Sequence, residues 1–246
     1  MAHTNAHAVG VILCAGRGAR MGAAQNKVFL PLAGESLLTY SARAFAASPA
    51  IDELLFVAHP DEIERVRREV VQHGGLTKTR DIIAGGATRH QSEERALASL
   101  RPDIEAGRVD VLLIHDAARP FVRVADIEAL VVAAREHRAA LLAAPVGADE
   151  VIARVSDDGE IVATFASAEL YRAQTPQAFD ATLLLAVYAQ ARAAGFEGTD
   201  TASSVERAGV AVRVVAGPGA NFKVTTAQDL ARAETLLRIA RPSTGS

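Results

Sequence analysis

Short apolar runs alternate with helical patterns through the first 146 residues, and few folds accommodate that rhythm. VGVIL (9–13), ELLFVAH (53–59), DIIAGG (81–86), DVLLI (110–114) and ALLAAPV (140–146) are brief and almost wholly apolar. Runs of that length and character are buried strands. Between them, helices are predicted over SLLTYSARAFAAS (36–48), ending near Pro49, and over DEIERVRREVVQHG (61–74), acid-led and stopped by Gly74. QSEERALASL (91–100) and VADIEALVVAAREHRAA (124–140) continue the series. Strands alternating with helices form βαβ units, so the expected fold class is α/β, with a mostly parallel sheet and helices on both faces.

The rhythm changes after Pro145. EVIARVSDDGEIVATF (150–165) alternates around Asp157-Asp158-Gly159, which predicts a hairpin and a candidate arm or lid. Helices are expected at 179–195, 200–209 and 227–240, and a strand at 210–217, while the tail RPSTGS should fray. No Pro/Gly/Ser-rich linker divides the chain, so residues 1–240 form one expected domain.

Composition narrows the function classes. A net charge of −3 and only 4% aromatics, with no Trp, argue against a nucleic-acid surface. A single cysteine excludes an internal disulfide framework and a cysteine-based metal site. No apolar run reaches the ~20 residues of a membrane span, and MAHTNAHA lacks the pattern of a signal peptide. A cytoplasmic protein is expected.

In an open α/β sheet, ligands bind beyond the carboxyl ends of the strands. CAGRGARMGAAQNK (14–27) follows the first strand with three glycines, Gly16, Gly18 and Gly22, three cations, Arg17, Arg20 and Lys27, and no acid. Met21 breaks the dinucleotide fingerprint G-x-G-x-x-G, and Ala23 breaks the P-loop ending. Yet glycines expose backbone N–H groups to an anion, Arg20 supplies a fork and Lys27 a point charge, so the loop is expected to bind phosphate. HDAARP (115–120) ends another strand. Asp116 there fits two roles equally, a Mg²⁺ ligand beside substrate phosphates or a helix cap. Arg119 is equally an anion ligand or a loop-holding ion pair, and His115 suits packing. GGATRHQS (85–92) places a glycine turn before a helix whose first turn carries Ser92, and TDTAS (199–203) is an N-capped helix start. Lys223 in NFKV, taken alone, is a solvated lysine.

These stretches, in this order, resemble the cytidylyltransferases of the non-mevalonate isoprenoid route, which join CTP to 2-C-methyl-D-erythritol 4-phosphate. The matching pieces are AGRGARMG…NK, GG..R..S, HDAARP, AQTPQAF (173–179), TDTAS and NFKVTT (221–226). HDAARP with QTPQ.F is specific to this family and its relative acting on ribitol 5-phosphate. The resemblance implies a Rossmann-like domain with a β-arm at about 147–172 that crosses to a second subunit, giving a homodimer. It also implies attack by the acceptor's phosphate oxygen on the α-phosphorus of CTP, with release of pyrophosphate. By carry-over, Arg20, Lys27 and Lys223 are catalytic. Asp116 holds Mg²⁺. Cys14, Ala15, Gly16, Gly18, Gly86 and Ser92 seat the nucleotide, with Gly86 and Ser92 against the cytosine. Arg119, Ser167 and Thr175 face the acceptor.

Four departures accompany the resemblance. Asn26 precedes Lys27 where the family usually has proline, and Ala87 stands where a polar residue is common. GADEVIA (147–153) lacks the family's usual threonine, and Ser167 replaces an arm arginine that helps hold the acceptor's phosphate. The CTP half thus matches and the acceptor half is altered. The same chemistry on another polyol phosphate, such as ribitol 5-phosphate, is therefore an alternative, and a non-catalytic nucleotide-binding dimer is another. A nicotinamide oxidoreductase is disfavoured by Met21.

Overall fold

The computed structural model describes residues 7–16, 26–73, 75–147 and 151–240. Its strands are β1 (His7–Leu13), β2 (Pro31–Leu32), β3 (Glu35–Ser36), β4 (Glu53–Ala58), β5 (Thr79–Ala84), β6 (Val109–Asp116), β7 (Ala139–Pro145), β8 (Val151–Val155), β9 (Ile161–Ala166), β10 (Tyr171–Asp180) and β11 (Arg213–Ala216). The α-helices are α1 (Leu37–Ala47), α2 (Ile63–Arg67), α3 (Arg89–Glu105), α4 (Val124–His137), α5 (Ala181–Ala193), α6 (Thr201–Arg207) and α7 (Ala227–Ala240).

Seven strands form the main sheet in the order β11-β7-β10-β6-β1-β4-β5. Neighbours run parallel except at β10, which is antiparallel to both β6 and β7. The period of two along β1 divides the core. Ala8 and Ile12 join Phe45, Phe56, Leu113 and Leu130 on one face, under α1 and α4. Val9 and Val11 join Leu55, Leu100, Ile114 and Leu184 on the other, under α3 and α5. Gly10 allows the close approach of α1, because a Cβ there would stand 2.6 Å from the Phe45 ring. The α/β class and the mostly parallel sheet are as the sequence predicts.

Strand β10 is the main difference from the sequence reading. Its QTPQ segment contains Pro176, and a proline argues against a central strand because it donates nothing to the ladder. The ladder with β7 skips from Ala173 to Gln177, so Pro176 sits in the gap. The helix expected from Phe179 begins instead at Ala181, where Asp180 accepts from Leu183 N at 2.7 Å and caps it. Helix α3 continues through Pro102 to Glu105. The predicted 61–74 helix is split into a 3₁₀ turn at Pro60–Glu62, the short α2 and a π-helical segment at Arg68–His73, while its stop at Gly74 lies outside the described residues.

The expected hairpin is present. β8 and β9 pair with each other, Val151 opposite Ala166, and with no other strand of the described structure. Gly159 turns it with φ 92°, a conformation open to glycine. Val151, Val155, Ile161, Val162 and Phe165 are all exposed on this hairpin.

Candidate active site

The carboxyl ends of β1, β4, β5 and β6 open into one cleft of about 820 Å³. Ala15 and Gly16 line it beyond β1, and His59 and Pro60 beyond β4. Gly85 to Arg89 contribute the wall after β5, and Asp116 and Ala118 the floor after β6. Lys27 enters from the far end of the glycine loop, and Lys223 and Thr225 from the segment before α7. Residues of CAGRGARMGAAQNK, GGATRHQS, HDAARP and NFKV thus share one cavity, across more than 200 residues of chain.

Asp116 organises the floor. Lys223 Nζ donates to its Oδ2 at 2.7 Å, and Arg89 Nε to its Oδ1 at 3.2 Å. Burial alone would raise the carboxyl, but Arg89, Lys223 and Arg119 outweigh it and hold Asp116 well below the usual carboxylate range. It is therefore an anion whenever the protein is folded near neutrality. The backbone N–H of Asp116 donates to Thr175 Oγ1 at 3.0 Å, and that hydroxyl also meets His115 Nδ1 at 3.1 Å. Burial pushes His115 down to about 3, so it is neutral, and it packs against Phe45 as the sequence suggests.

Arg89, inside the GG..R..S stretch, has a part that sequence reasoning missed. It is the first residue of α3, and its Nη1 also donates to Glu93 Oε1 at 2.6 Å, one turn along. The Glu93 carboxylate, 2% exposed, takes further hydrogen bonds from Tyr188 of α5 and Thr201 of α6. Arg89 is thereby fixed from behind while it holds Asp116 in front. An arginine at the start of a helix with a glutamate four residues on was the signal available in the sequence.

The base-sized corner forms at the start of α3. Gly86 N donates to Ser92 Oγ at 3.1 Å, and Ser92 Oγ donates to Thr88 O at 3.0 Å. Thr88 caps α3 by accepting from Gln91 N. A Cβ on Gly86 would lie 2.9 Å from the Gln91 carbonyl carbon, so the corner closes on any larger residue.

Other sequence-predicted residues stand further back. Cys14 is buried, its thiol donates to Val57 O at 3.2 Å, and burial pushes it up, away from thiolate chemistry. Arg119 packs behind Asp116 with Nη1 on Asn221 O at 2.9 Å, and Thr175 lies beneath Asp116. Ser167 is buried at the base of the hairpin, 2% exposed. None of the three lines the described cleft. Arg20 and Gly18 lie outside the described residues.

A family model for 2-C-methyl-D-erythritol 4-phosphate cytidylyltransferase, IspD, matches residues 8–239. The chain belongs to the IspD family. Proteins of that name from Geobacter metallireducens and Acidobacterium capsulatum are 41% and 40% identical to it, over 93% of this chain and 96% of each relative. A solved structure from Anaerococcus prevotii, described as 4-diphosphocytidyl-2C-methyl-D-erythritol synthase, superposes with a TM-score of 0.82 at 26% identity, covering 95% and 97% of the two chains. The enzyme of Thermus thermophilus, described as 2-C-methyl-D-erythritol 4-phosphate cytidylyltransferase, gives 0.71 at 29%, covering 95% and 99%. IspD family membership accounts for the fold and for the order of the cleft-lining stretches together.

Proposed function

We propose that this protein transfers the cytidylyl group of CTP to 2-C-methyl-D-erythritol 4-phosphate. An acceptor phosphate oxygen forms the new bond to the α-phosphorus, the bond from that phosphorus to the β-phosphate oxygen breaks, and pyrophosphate leaves. The observation that carries this reading is the ionised Asp116 held between Lys223 and Arg89 on the floor of a nucleotide-sized cleft, in a chain of this family. By resemblance Gly86 and Ser92 seat the cytosine, at a corner that their own hydrogen bonds hold in shape. Lys27 and Lys223 suit the triphosphate, as point charges whose attraction grows as charge develops on the leaving group. Arg20 belongs to the same proposal by resemblance. Positioning and charge stabilisation supply most of the rate in such a transfer.

Mg²⁺ fits this donor set as a substrate-borne ion. Among the described residues there is no cluster of three acidic, histidine or cysteine side chains, which a wholly protein-built cage would require. One carboxylate, Asp116, with nucleotide phosphates and waters completing the sphere, is the usual arrangement for this ion. When bound, Mg²⁺ neutralises phosphate charge. Asp116 would hold that ion, Lys223 would offer its ammonium to a phosphate oxygen, and Arg89 would keep Asp116 oriented through Oδ1.

Arg119, Thr175 and Ser167 are proposed to border the acceptor, with the hairpin of a second subunit completing that side. The row of exposed apolar residues on β8 and β9 supports a homodimer, since a two-stranded ribbon rarely stands alone in water. Deleting residues 151–165 should yield a folded monomer; a persistent dimer by light scattering would remove the hairpin from the interface. No helix of the described structure is long and apolar enough to cross a membrane.

The reaction is tested by pyrophosphate release from CTP and Mg²⁺ with each acceptor separately. Release with 2-C-methyl-D-erythritol 4-phosphate is expected. Release with ribitol 5-phosphate alone would move the reading to that acceptor, the alternative favoured by serine at position 167. Tight CTP binding without release on any acceptor would leave a nucleotide-binding protein.

A further inference from the structure

Asn26 ends the stretch that separates the terminus of β1 from Lys27. Its side chain is buried, 4% exposed, and reaches three segments at once. Nδ2 donates to Cys14 O at 2.8 Å and to Glu62 Oε2 at 2.7 Å. Oδ1 accepts from Val28 N at 3.3 Å and so caps the 3₁₀ turn Lys27–Phe29. Both donor hydrogens and the acceptor of one amide are in use.

Each segment so joined contributes to the cleft: Ala15 and Gly16 after Cys14, His59 and Pro60 before Glu62, and Lys27 and Val28 beside Asn26 itself. The backbone of Asn26, at φ −59° and ψ 126°, suits a proline equally well. A proline there fixes φ but links nothing to Cys14 or Glu62. The cross-link is therefore the distinct property of asparagine at this position.

We propose that Asn26 is a positioning residue whose three-way hydrogen-bonded clasp fixes Lys27 against the phosphate-facing wall. The proposal rests on the reading of Lys27 as a phosphate ligand. Buried, fully paired amides hold geometry tightly because every alternative leaves a polar group unpaired. A misplacement of about 1 Å in a positioned group costs about 10²-fold in rate.

The test is a thermodynamic cycle on the full chain. Asn26→Ala is made alone and on a Lys27→Ala background, and CTP affinity is measured by calorimetry with KM and kcat for each substrate. Alone, Asn26→Ala should weaken CTP binding about tenfold or more and leave the acceptor's KM unchanged. On the Lys27→Ala background it should weaken CTP binding no further, as expected for residues acting as one unit. Amide exchange at Val28 should accelerate in Asn26→Ala, which reads the clasp without nucleotide. Asn26→Pro, compatible with the backbone, guards against simple unfolding and should show a smaller loss than Asn26→Ala. Equal losses on both backgrounds would overturn the proposal, as would faster exchange with unaltered CTP affinity. A wild type that binds CTP but turns over no acceptor would sink the proposed reaction alone, because the affinity cycle still decides the role of Asn26.

Discussion

Asp116→Asn is expected to lower turnover about 10²–10³-fold, the range seen when one preorganised electrostatic group is removed from a reacting centre. The side chains are nearly isosteric, so the fold should survive. The charge change is what matters. In the native protein, one carboxylate offsets Lys223 at 2.7 Å and Arg89 at 3.2 Å. The amide leaves Lys223 without its described counter-ion and Arg89 with Glu93 alone. Metal-free CTP, an anion, should then bind as tightly as before or more tightly. Adding Mg²⁺ should no longer improve productive binding, because the protein's one proposed metal ligand is gone. The signature is a large fall in kcat with retained CTP affinity and a lost Mg²⁺ dependence, read by calorimetry and pyrophosphate release. Turnover within a few-fold of wild type, or an unchanged Mg²⁺ dependence, would take Asp116 out of the metal site.

The sequence made the parallel part of the sheet legible because strands buried on both faces must be apolar along their middles, as residues 8–13 of β1, 54–58 of β4 and 111–114 of β6 are. It made the cleft legible because parallel strands gather their carboxyl ends, so GGATRHQS and HDAARP had to approach the loop after β1. What stayed hidden depends on long-range pairing. Strand β10 was masked by Pro176, whose missing donor falls harmlessly in a break of the ladder with β7. Arg89 was hidden because its partners, Asp116 and Thr201, come from elements 27 and 112 residues away. The departure at Asn26 was visible as asparagine in place of proline, yet its clasp needs Glu62, which spacing alone does not place beside Cys14. Thr175 and Arg119 are expected to face the acceptor through resemblance; their described side-chain contacts are with Asp116 N and the His115 ring for Thr175, and with Asn221 O for Arg119.

Lys223→Met should cost a comparable 10²–10³-fold in turnover, but with a different signature. The substitution keeps the length of the stem and removes the ammonium. Asp116 retains Arg89, so it stays ionised and oriented, and its use of Mg²⁺ should persist. What is lost is the cation on Asp116 that can exchange partners. Arg89 cannot substitute, because Glu93 and Thr201 hold its guanidinium from behind, and Glu93 is itself buried under Tyr188. Lys223 is held on the protein side only by Asp116 among its described hydrogen bonds, and its side chain is 37% exposed, so it is free to swing toward a phosphate. Lys223→Arg should rescue poorly despite its charge. A planar fork seeks bidentate partners, and Asp116 would offer one at the expense of the phosphate. Both variants should bind CTP more weakly than wild type while still responding to Mg²⁺. If Lys223→Arg restored full turnover, a fixed positive charge would suffice and the partner exchange would be wrong. If Lys223→Met left turnover intact, the lysine would be only the counter-ion of Asp116, and the phosphate-stabilising charge would have to come from Lys27 and its neighbours on the glycine loop.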